Sequence, residues 1–448
     1  MHGISFAIKQ RSFPNSPASR SRSSNALSTA IGFLNYHVMC WAVSDPYVLR
    51  VIFEFLRRAR PVAILFRKCV VVTKYRDARD ILDRVTDFSI SEFMAPKMPW
   101  GPFLLSLDWV EQHKSERQRL QRAVYHNEDV EFIKKIVNRR CNTVIEAKQA
   151  EGEIDFVADL CAPIMIEIIS QYFGIPVIDD AQEMTRVLND VASFILVEPP
   201  AHSARAKRAY DSMARLTKAV HTQIEKTDGP NDSPGNLLSR LVKALHEKQG
   251  DEEEWFDKDW IRQYITGIAV AGSATVARAS THAIDRLLAH PSGLKEARKL
   301  VQLPEGHYAD DLDHHLRQII YEALRFRPMV PLVVRYCPRE TIIAKGTDYA
   351  RVAPAGAAVI VAAVGANFDP DMFANPCHFD TNRPLNNYIV FSSGPRTCFG
   401  KYVADVVMVE IIRSVLRLPK LRRAFACRGR VHYDGPAVTS LRLKFGTD

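Results

Sequence analysis

The stretch FSSGPRTCFGKYVADVVMVEII, residues 391–412, places a single cysteine in a turn directly before a run with helical periodicity. Unpaired amide groups at a helix start favour the thiolate form of Cys398, which is the form that binds metals. Gly394 and Gly400 permit a close approach to this turn, and Arg396 offers a fixed cation to a carboxylate. The pattern favours a thiolate site for a flat, carboxylate-bearing ligand such as haem, with a small buried cysteine in a capping loop as the alternative.

The turn follows the pattern F-x-x-G-x-R-x-C-x-G, which is formed by Phe391, Gly394, Arg396, Cys398 and Gly400. The stretch resembles the haem-binding signature of the cytochrome P450 family. The resemblance runs from about residue 44 to the end of the chain, and its DPY start is similar to the soluble bacterial-type members. It implies haem b (heme b, iron protoporphyrin IX) as the cofactor, with Cys398 as the metal ligand and Arg396 on a propionate.

A second segment, QIIYEALRFRP, holds two opposite charges three residues apart, Glu322 and Arg325. That spacing puts both on one helix face, where an exposed pair contributes roughly 0.2–0.5 kcal/mol. The segment also resembles the E-x-x-R motif of the same family. The resemblance implies a buried network that adds Arg383 from HFDTNRP.

Three further cations stand where the family has haem contacts. His113 and Arg117 are four residues apart and share a helix face, and Arg335 lies in a β-like run after the E-x-x-R segment. From the residues alone, each is equally a solvated surface cation. The resemblance implies that all three bind the propionates.

The segment WIRQYITGIAVAGSATVARASTHAIDRLLAHP is a long helical candidate with a glycine in its interior, where glycine costs roughly 1 kcal/mol against alanine. It resembles the family's oxygen-binding helix, whose pattern is A-G-x-(acid)-T. Gly272 and Thr275 match that pattern, but Ala274 stands where the acid belongs. We therefore expect Gly272, Ala274 and Thr275 at the catalytic face, with proton delivery to dioxygen in question. Tight helix packing is the alternative reason for the glycine.

These residues require a framework, and the hydrophobic pattern predicts a mostly α (α+β) chain with a long helical array, small β-sheets and a single large domain. The resemblance implies that this framework is the cytochrome P450 fold. A helix is expected from Pro46, a hairpin in VAILFRKCVVVTKY, and an apolar loop with exposed aromatics over residues 91–107. Helices fill 110–330, with breaks at GIPVIDD, TDGPNDSPGN and EKQGDEEEW. Short strands follow, then a last helix from about 399 and a strand in SLRLKF.

Composition limits the class of protein. The net charge is +9, but 60 basic and 51 acidic residues are interspersed, which argues against nucleic-acid binding. The eight scattered cysteines indicate a reducing compartment and no structural zinc. Residues 1–43 are expected to form an N-terminal extension, targeting or disordered, before a haem domain at 44–448. The apolar run 26–43 is interrupted by Asn35 and His37, so we expect a soluble protein without a membrane span. The resemblance to soluble bacterial-type members implies a cytoplasmic enzyme, which we expect to be a monomer.

The leading functional hypothesis is a haem-thiolate monooxygenase that inserts one oxygen atom from dioxygen into an apolar small molecule. Loops near 88–107, the helix near 190–200 and the strand near 330 are the expected pocket. Electrons would come from a ferredoxin and ferredoxin reductase or from a flavin reductase, docked on Arg117, Arg119, Arg122 and Lys401. The alternatives are a peroxygenase, isomerase or dehydratase acting on a peroxide, which Ala274 favours, and a non-catalytic haem binder.

Overall fold

The computed structural model describes residues 37–38, 40–41, 46–65, 68–98, 100–108, 110–197, 203–227, 235–248, 253–303 and 309–446. Within these ranges helices dominate. They are α1 (Pro46–Ala59), α2 (Tyr75–Asp83), α3 (Ser91–Met94), α4 (Val110–Arg122), α5 (His126–Lys148), α6 (Ala162–Gln171), α7 (Ala181–Leu196), α8 (Ala204–Thr227), α9 (Leu237–His246), α10 (Lys258–Leu288), α11 (Pro291–Val301), α12 (Ala309–Phe326), α13 (Ala363–Ala366) and α14 (Lys401–Leu416).

Helix α10 is the centre of the helical layer. Asp257 caps its start by accepting a hydrogen bond from the Trp260 amide at 2.7 Å. Its apolar residues lie on all sides, which is typical of a helix enclosed by others, and it packs against α6, α7, α8, α12 and α14. Helix α14, which follows the cysteine turn, packs against both α10 and α5. The core is therefore continuous around α10.

The largest sheet has the strand order β1-β2-β7-β4. Its strands are β1 (Val62–Leu65), β2 (Cys69–Val72), β4 (Val333–Cys337) and β7 (Ala357–Val361). β1 and β2 form the expected antiparallel hairpin, with Val62 opposite Val72. β7 runs parallel to β2 and antiparallel to β4, which sets Arg335 opposite Val359. This sheet thereby carries one predicted site residue into the interior.

Three smaller sheets complete the strand content of the described residues. They are β3-β11-β8, with β3 (Glu153–Asp155), β8 (Arg422–Arg423) and β11 (Arg442–Lys444); β5-β6, with β5 (Thr341–Ile343) and β6 (Arg351–Ala353); and β9-β10, with β9 (His432–Asp434) and β10 (Ala437–Ser440). The predicted strand in SLRLKF is β11. The strand β3 interrupts the segment predicted to be helical, because its three residues pair with β11 far along the chain.

The loop 91–107 differs from the prediction. It contains the short helix α3 and two 3₁₀ turns, Ala95–Lys97 and Leu104–Ser106. Its aromatic residues Trp100 and Phe103 are buried rather than exposed, because the loop folds back onto α10, where Phe103 packs edge-on against Tyr264.

The beginning of the chain is described only in part. The expected capping residues of α1, Ser44 and Asp45, and most of the apolar run 26–43 lie outside the described residues. The turn residue Arg67 and the centres of two predicted breaks, 228–234 and 249–252, lie outside them as well. No helix in the described ranges has the length and hydropathy needed to cross a bilayer.

Candidate active site

The turn that carries Cys398 is held by backbone hydrogen bonds. A 3₁₀ turn covers Gly394–Arg396, the Thr397 amide donates to the Gly394 carbonyl at 3.0 Å, and the Cys398 amide donates to the Phe391 carbonyl at 2.9 Å. Helix α14 begins three residues after the cysteine. The Phe391 ring packs 5.8 Å from the Tyr321 ring on α12, so the turn is fixed to the core at its first residue.

The Cys398 thiol is surrounded by protein without being tightly packed. The residue is accessible to solvent-sized molecules, yet surrounding protein removes enough water to raise the pKa of the thiol. Hydrogen bonds from the Gly400 and Lys401 amides and the nearby charge of Arg117 act in the opposite direction and favour the thiolate. An accessible but enclosed sulfur with this support is suited to hold a metal ion inside the fold.

The two glycines of the turn serve different purposes. Gly394 has φ +67°, and a Cβ there would stand 2.4 Å from Asp83 Oδ1. The absence of a side chain at Gly394 therefore allows the end of α2 to pack against the turn. That corrects the expectation that Gly394 makes room for a ligand. A Cβ on Gly400 would meet only the Cys398 sulfur, at 3.9 Å. Gly400 is thus the glycine that keeps the space beside the thiol open.

Four basic residues predicted from three segments lie near one another, and we call them the cationic cluster: His113, Arg117, Arg335 and Arg396. Burial lowers the pKa of His113 to about 4, helped by the charges of Arg396 and Arg117. Burial also lowers the pKa of Arg335 to about 10, again with a contribution from Arg396. Because each group feels another's charge, α4, β4 and the cysteine turn converge on one positive region.

One carboxylate in this region was not predicted, Asp108 at the end of the loop before α4. Burial alone would raise its pKa, but hydrogen bonds from the Ser89 and Ser91 hydroxyls and from the Ile90 amide outweigh burial and lower it. Arg396 Nη2 also reaches Asp108, at 3.4 Å. The cue in the sequence was weak, since Asp108 stands 288 residues from its arginine partner.

The cationic cluster fits a dianionic ligand. Asp108 lies near two of its arginines, Arg335 and Arg396, whereas Arg117 lies beside the Cys398 sulfur. The cluster therefore keeps a net positive charge at neutral pH even though His113 is uncharged there. Arg396 Nε and Nη1 are buried and have no hydrogen-bond partner within the described part of the chain. Buried donors of this kind are costly unless something binds them. A group with two carboxylates, as haem has, satisfies both the charge and the donors.

Glu322, Arg325 and Arg383 form a buried cluster behind the turn. Glu322 and Arg325 are fully buried and paired at 2.7 Å, and Arg383 Nε lies 3.7 Å from Glu322 Oε1. Glu322 also accepts hydrogen bonds from the Tyr388 hydroxyl and the Asp380 amide, both at 2.9 Å. The cluster therefore ties α12 to the segment leading to Cys398, and removing one charge would cost on the order of 3–5 kcal/mol.

One face of α10 is not fully covered by neighbouring side chains. Between Tyr264 and Ile284, the residues that are not buried are Ala271, Gly272 and Thr275. Their spacing of one and then three residues puts them on one side of the helix. The Thr275 hydroxyl donates to the Ala271 carbonyl. This arrangement places the sequence-predicted Gly272 and Thr275 at the same opening.

Two glycines of α10 show why that opening is unusual. A Cβ on Gly267 would stand 2.8 Å from the Phe103 ring, so packing explains that glycine. A Cβ on Gly272 would meet only Phe173, at 4.0 Å. Tight packing therefore does not account for Gly272, and free space beside the helix does.

Ala274 is buried beside that opening. It offers no titratable group. The acidic residues of α10 are Asp259 and Asp285, and Asp285 lies ten residues beyond Thr275, or about 15 Å along the helix. The helix itself therefore brings no carboxylate to the opening.

The proposed docking cations are less available than the sequence implied. Arg119 and Arg122 both pair with Glu253, at 3.3 and 3.6 Å. Arg117 is partly buried beside the Cys398 sulfur. Lys401 remains exposed at the start of α14.

Comparison with known proteins identifies the class. The family model described as Cytochrome P450 matches residues 50–421. A steroid C26-monooxygenase of Mycolicibacterium smegmatis is 25% identical over 376 residues, covering 83% of this chain and 86% of the relative. A C-19 steroid 1alpha-hydroxylase of Sorangium cellulosum is 25% identical over 366 residues, covering 80% and 82%.

Solved structures give the same fold. Substrate-free CYP109E1 from Bacillus megaterium matches with a TM-score of 0.73 at 17% identity, over 90% of this chain and 100% of that one. The chain belongs to the cytochrome P450 family. It is accordingly an oxidoreductase of the monooxygenase type that carries haem, as the fold and the sequence resemblance predicted.

Proposed function

We propose that this protein is a haem-thiolate monooxygenase in which Cys398 is the metal ligand and the cationic cluster binds the two haem carboxylates. The observation that carries this assignment is the enclosed, accessible Cys398 thiol next to Arg117 of that cluster. Glu322, Arg325 and Arg383 support the loop that leads to the ligand. The haem domain would comprise residues 44–448, after an N-terminal extension of residues 1–43.

The cofactor is haem b, held without a covalent bond. The sequence has no C-x-x-C-H attachment motif, so ligation and the cationic cluster must retain it. When bound, a haem with a thiolate ligand supplies the activation of dioxygen after reduction. The Gly400 and Lys401 amides and Arg117 keep the sulfur deprotonated against the cost of burial.

On the face of the haem opposite Cys398, Gly272 of α10 would leave room for a small ligand, and Thr275 would position a water molecule. Its hydroxyl proton is directed to the Ala271 carbonyl, so its lone pairs are free to accept a hydrogen bond from a water molecule. That water, rather than a side chain at position 274, would hold the proton that oxygen chemistry requires. Apolar side chains such as Trp100 and Phe103, which close the side of α10, keep bulk water away.

The substrate is an apolar small molecule. Two relatives act on steroids according to their names, and the predicted pocket segments are rich in buried apolar residues. Electrons come from a separate redox partner, a ferredoxin with its reductase or a flavin reductase. Lys401 and the general positive charge would attract an acidic partner to the cysteine side, and the enzyme would work as a cytoplasmic monomer.

A second candidate, a peroxygenase, isomerase or dehydratase acting on a peroxide, is favoured by one observation, the absence of an acid at Ala274. Turnover of an apolar substrate separates the two. The haem-loaded protein should form product with dioxygen, reduced ferredoxin and its reductase, and little with hydrogen peroxide alone. Product formed only with peroxide would exclude the monooxygenase.

A further inference from the structure

Helix α1 presents apolar side chains on two opposite sides. Its inner side packs Leu49, Phe53 and Leu56 against the largest sheet. Its outer side exposes five large apolar residues and one arginine, Tyr47, Val48, Val51, Ile52, Phe55 and Arg58. Phe55 is 70% exposed and Tyr47 is 66% exposed.

This grouping is more than scattered surface apolarity. Residues 47, 48, 51, 52 and 55 recur at intervals of one, three, one and three, so they form a single stripe along α1. Single exposed apolar side chains need no explanation, but a contiguous stripe of five marks an interaction surface. We call it the outer stripe of α1.

The charges around the outer stripe are positive. Arg58 lies within it, Arg60 is exposed just beyond the end of the helix, and Lys68 is exposed in the turn between β1 and β2. Glu54 is the acidic residue of α1, and it is paired with Arg58 at 2.8 Å.

We propose that the outer stripe of α1 binds the surface of an anionic phospholipid membrane, with the helix lying in the plane of the headgroups. An exposed apolar stripe with aromatic residues and flanking arginines is the pattern of interfacial helices. Each lysine or arginine near an anionic surface adds to the attraction. The stripe has no polar group besides the Tyr47 hydroxyl and Arg58, which suits fluid lipid better than a protein partner that needs matched hydrogen bonds.

The test uses the full-length, haem-loaded protein and co-sedimentation with vesicles of phosphatidylcholine alone or mixed equally with phosphatidylglycerol. We expect the protein to sediment with the mixed vesicles and much less with the neutral ones. Phe55→Ser should lower the partition coefficient roughly tenfold, because one fully inserted phenylalanine is lost. Phe425→Ser is the matched control, since Phe425 is 89% exposed and far from α1 in sequence; it should sediment like the wild type.

Absence of sedimentation with mixed vesicles would overturn the proposal, as would equal losses for Phe55→Ser and Phe425→Ser. Analytical ultracentrifugation tests the alternative that the outer stripe binds a second copy of the chain. A dimer that Phe55→Ser dissociates would support that alternative and overturn the membrane proposal. Val51→Ser provides the same comparison if Phe55→Ser fails to fold. Replacing Arg58 and Arg60 with glutamine should reduce binding to mixed vesicles only, and an unchanged preference for them would contradict the electrostatic part.

Discussion

The cysteine turn and the opening in α10 are built in opposite ways. Around Cys398 the site consists of groups that are present: a thiol, amide donors, three arginines and a histidine, which come from α4, β4 and the cysteine turn. At the opening it consists mainly of groups that are absent, namely the side chain of Gly272 and any acid at Ala274. In the proposed function, the first side would define which cofactor the fold accepts, and the second would decide how efficiently the oxygen chemistry proceeds.

The largest effect should come from Cys398→Ala. It removes the one sulfur that the signature assigns as ligand, so the red-shifted Soret band of the thiolate-ligated ferrous carbonyl complex and all turnover should be lost. Cys427→Ala is the control, because Cys427 is also exposed but lies in a surface turn. A Cys398→Ala protein that retained the band would show that another residue is the ligand.

The cationic cluster predicts a pH effect on stability. The pKa of His113 is about 4 in the fold and roughly 6.5 when unfolded. Between these values the unfolded chain binds more protons, so the haem-free protein should lose up to about 3 kcal/mol of stability as the pH falls through this window. Urea unfolding at several pH values measures it.

His113→Gln should flatten that pH dependence, because glutamine does not titrate. Bound haem should flatten it too, since two carboxylates near His113 favour its protonated form and raise its pKa. Identical pH profiles for the wild type and His113→Gln without haem would contradict the proposed electrostatics of the cluster.

The sequence indicated sites that depend on particular side chains better than sites that depend on a missing side chain. A ligand or an ion pair requires particular residue types, so Cys398 and the pair Glu322 and Arg325 stand out at fixed spacings. The long helices were likewise predicted from their periodicity, and the family and fold are confirmed. Asp108 could not be found in this way, because its role depends on Ser89 and Ser91 folding over it.

Glycines show the limit most clearly. Gly267 and Gly272 look alike in the sequence of α10, yet one accommodates Phe103 and the other faces open space. Gly394 was expected to face the ligand, but it faces Asp83. The pattern of a sequence reports that a side chain is missing, whereas only the packing reports what occupies its place.

Restoring an acid tests the distal side. Ala274→Asp would place a carboxylate one helical turn before the buried Arg278, which can hold it ionised. If proton supply limits the reaction, dioxygen-dependent product formation should rise about tenfold, a modest share of what general acid catalysis can contribute. Product formed per dioxygen consumed measures the effect. Ala274→Asn has the same shape without the proton and should give no increase; no gain from aspartate either would mean that protons arrive by another route.

The smallest effect should come from Gly272→Ala, and it separates stability from function. The added methyl group would touch only Phe173, at 4.0 Å, so the helix should gain up to about 1 kcal/mol from alanine's higher propensity. The same methyl group would occupy the opening and weaken carbon monoxide binding to the reduced protein. Thermal unfolding and carbon monoxide titration measure the two effects, with Gly267→Ala as the comparison, which should destabilise through its clash with Phe103. A Gly272→Ala protein that lost stability would mean that the glycine serves packing, and unchanged carbon monoxide binding would mean that the free space beside α10 has no role in ligand binding.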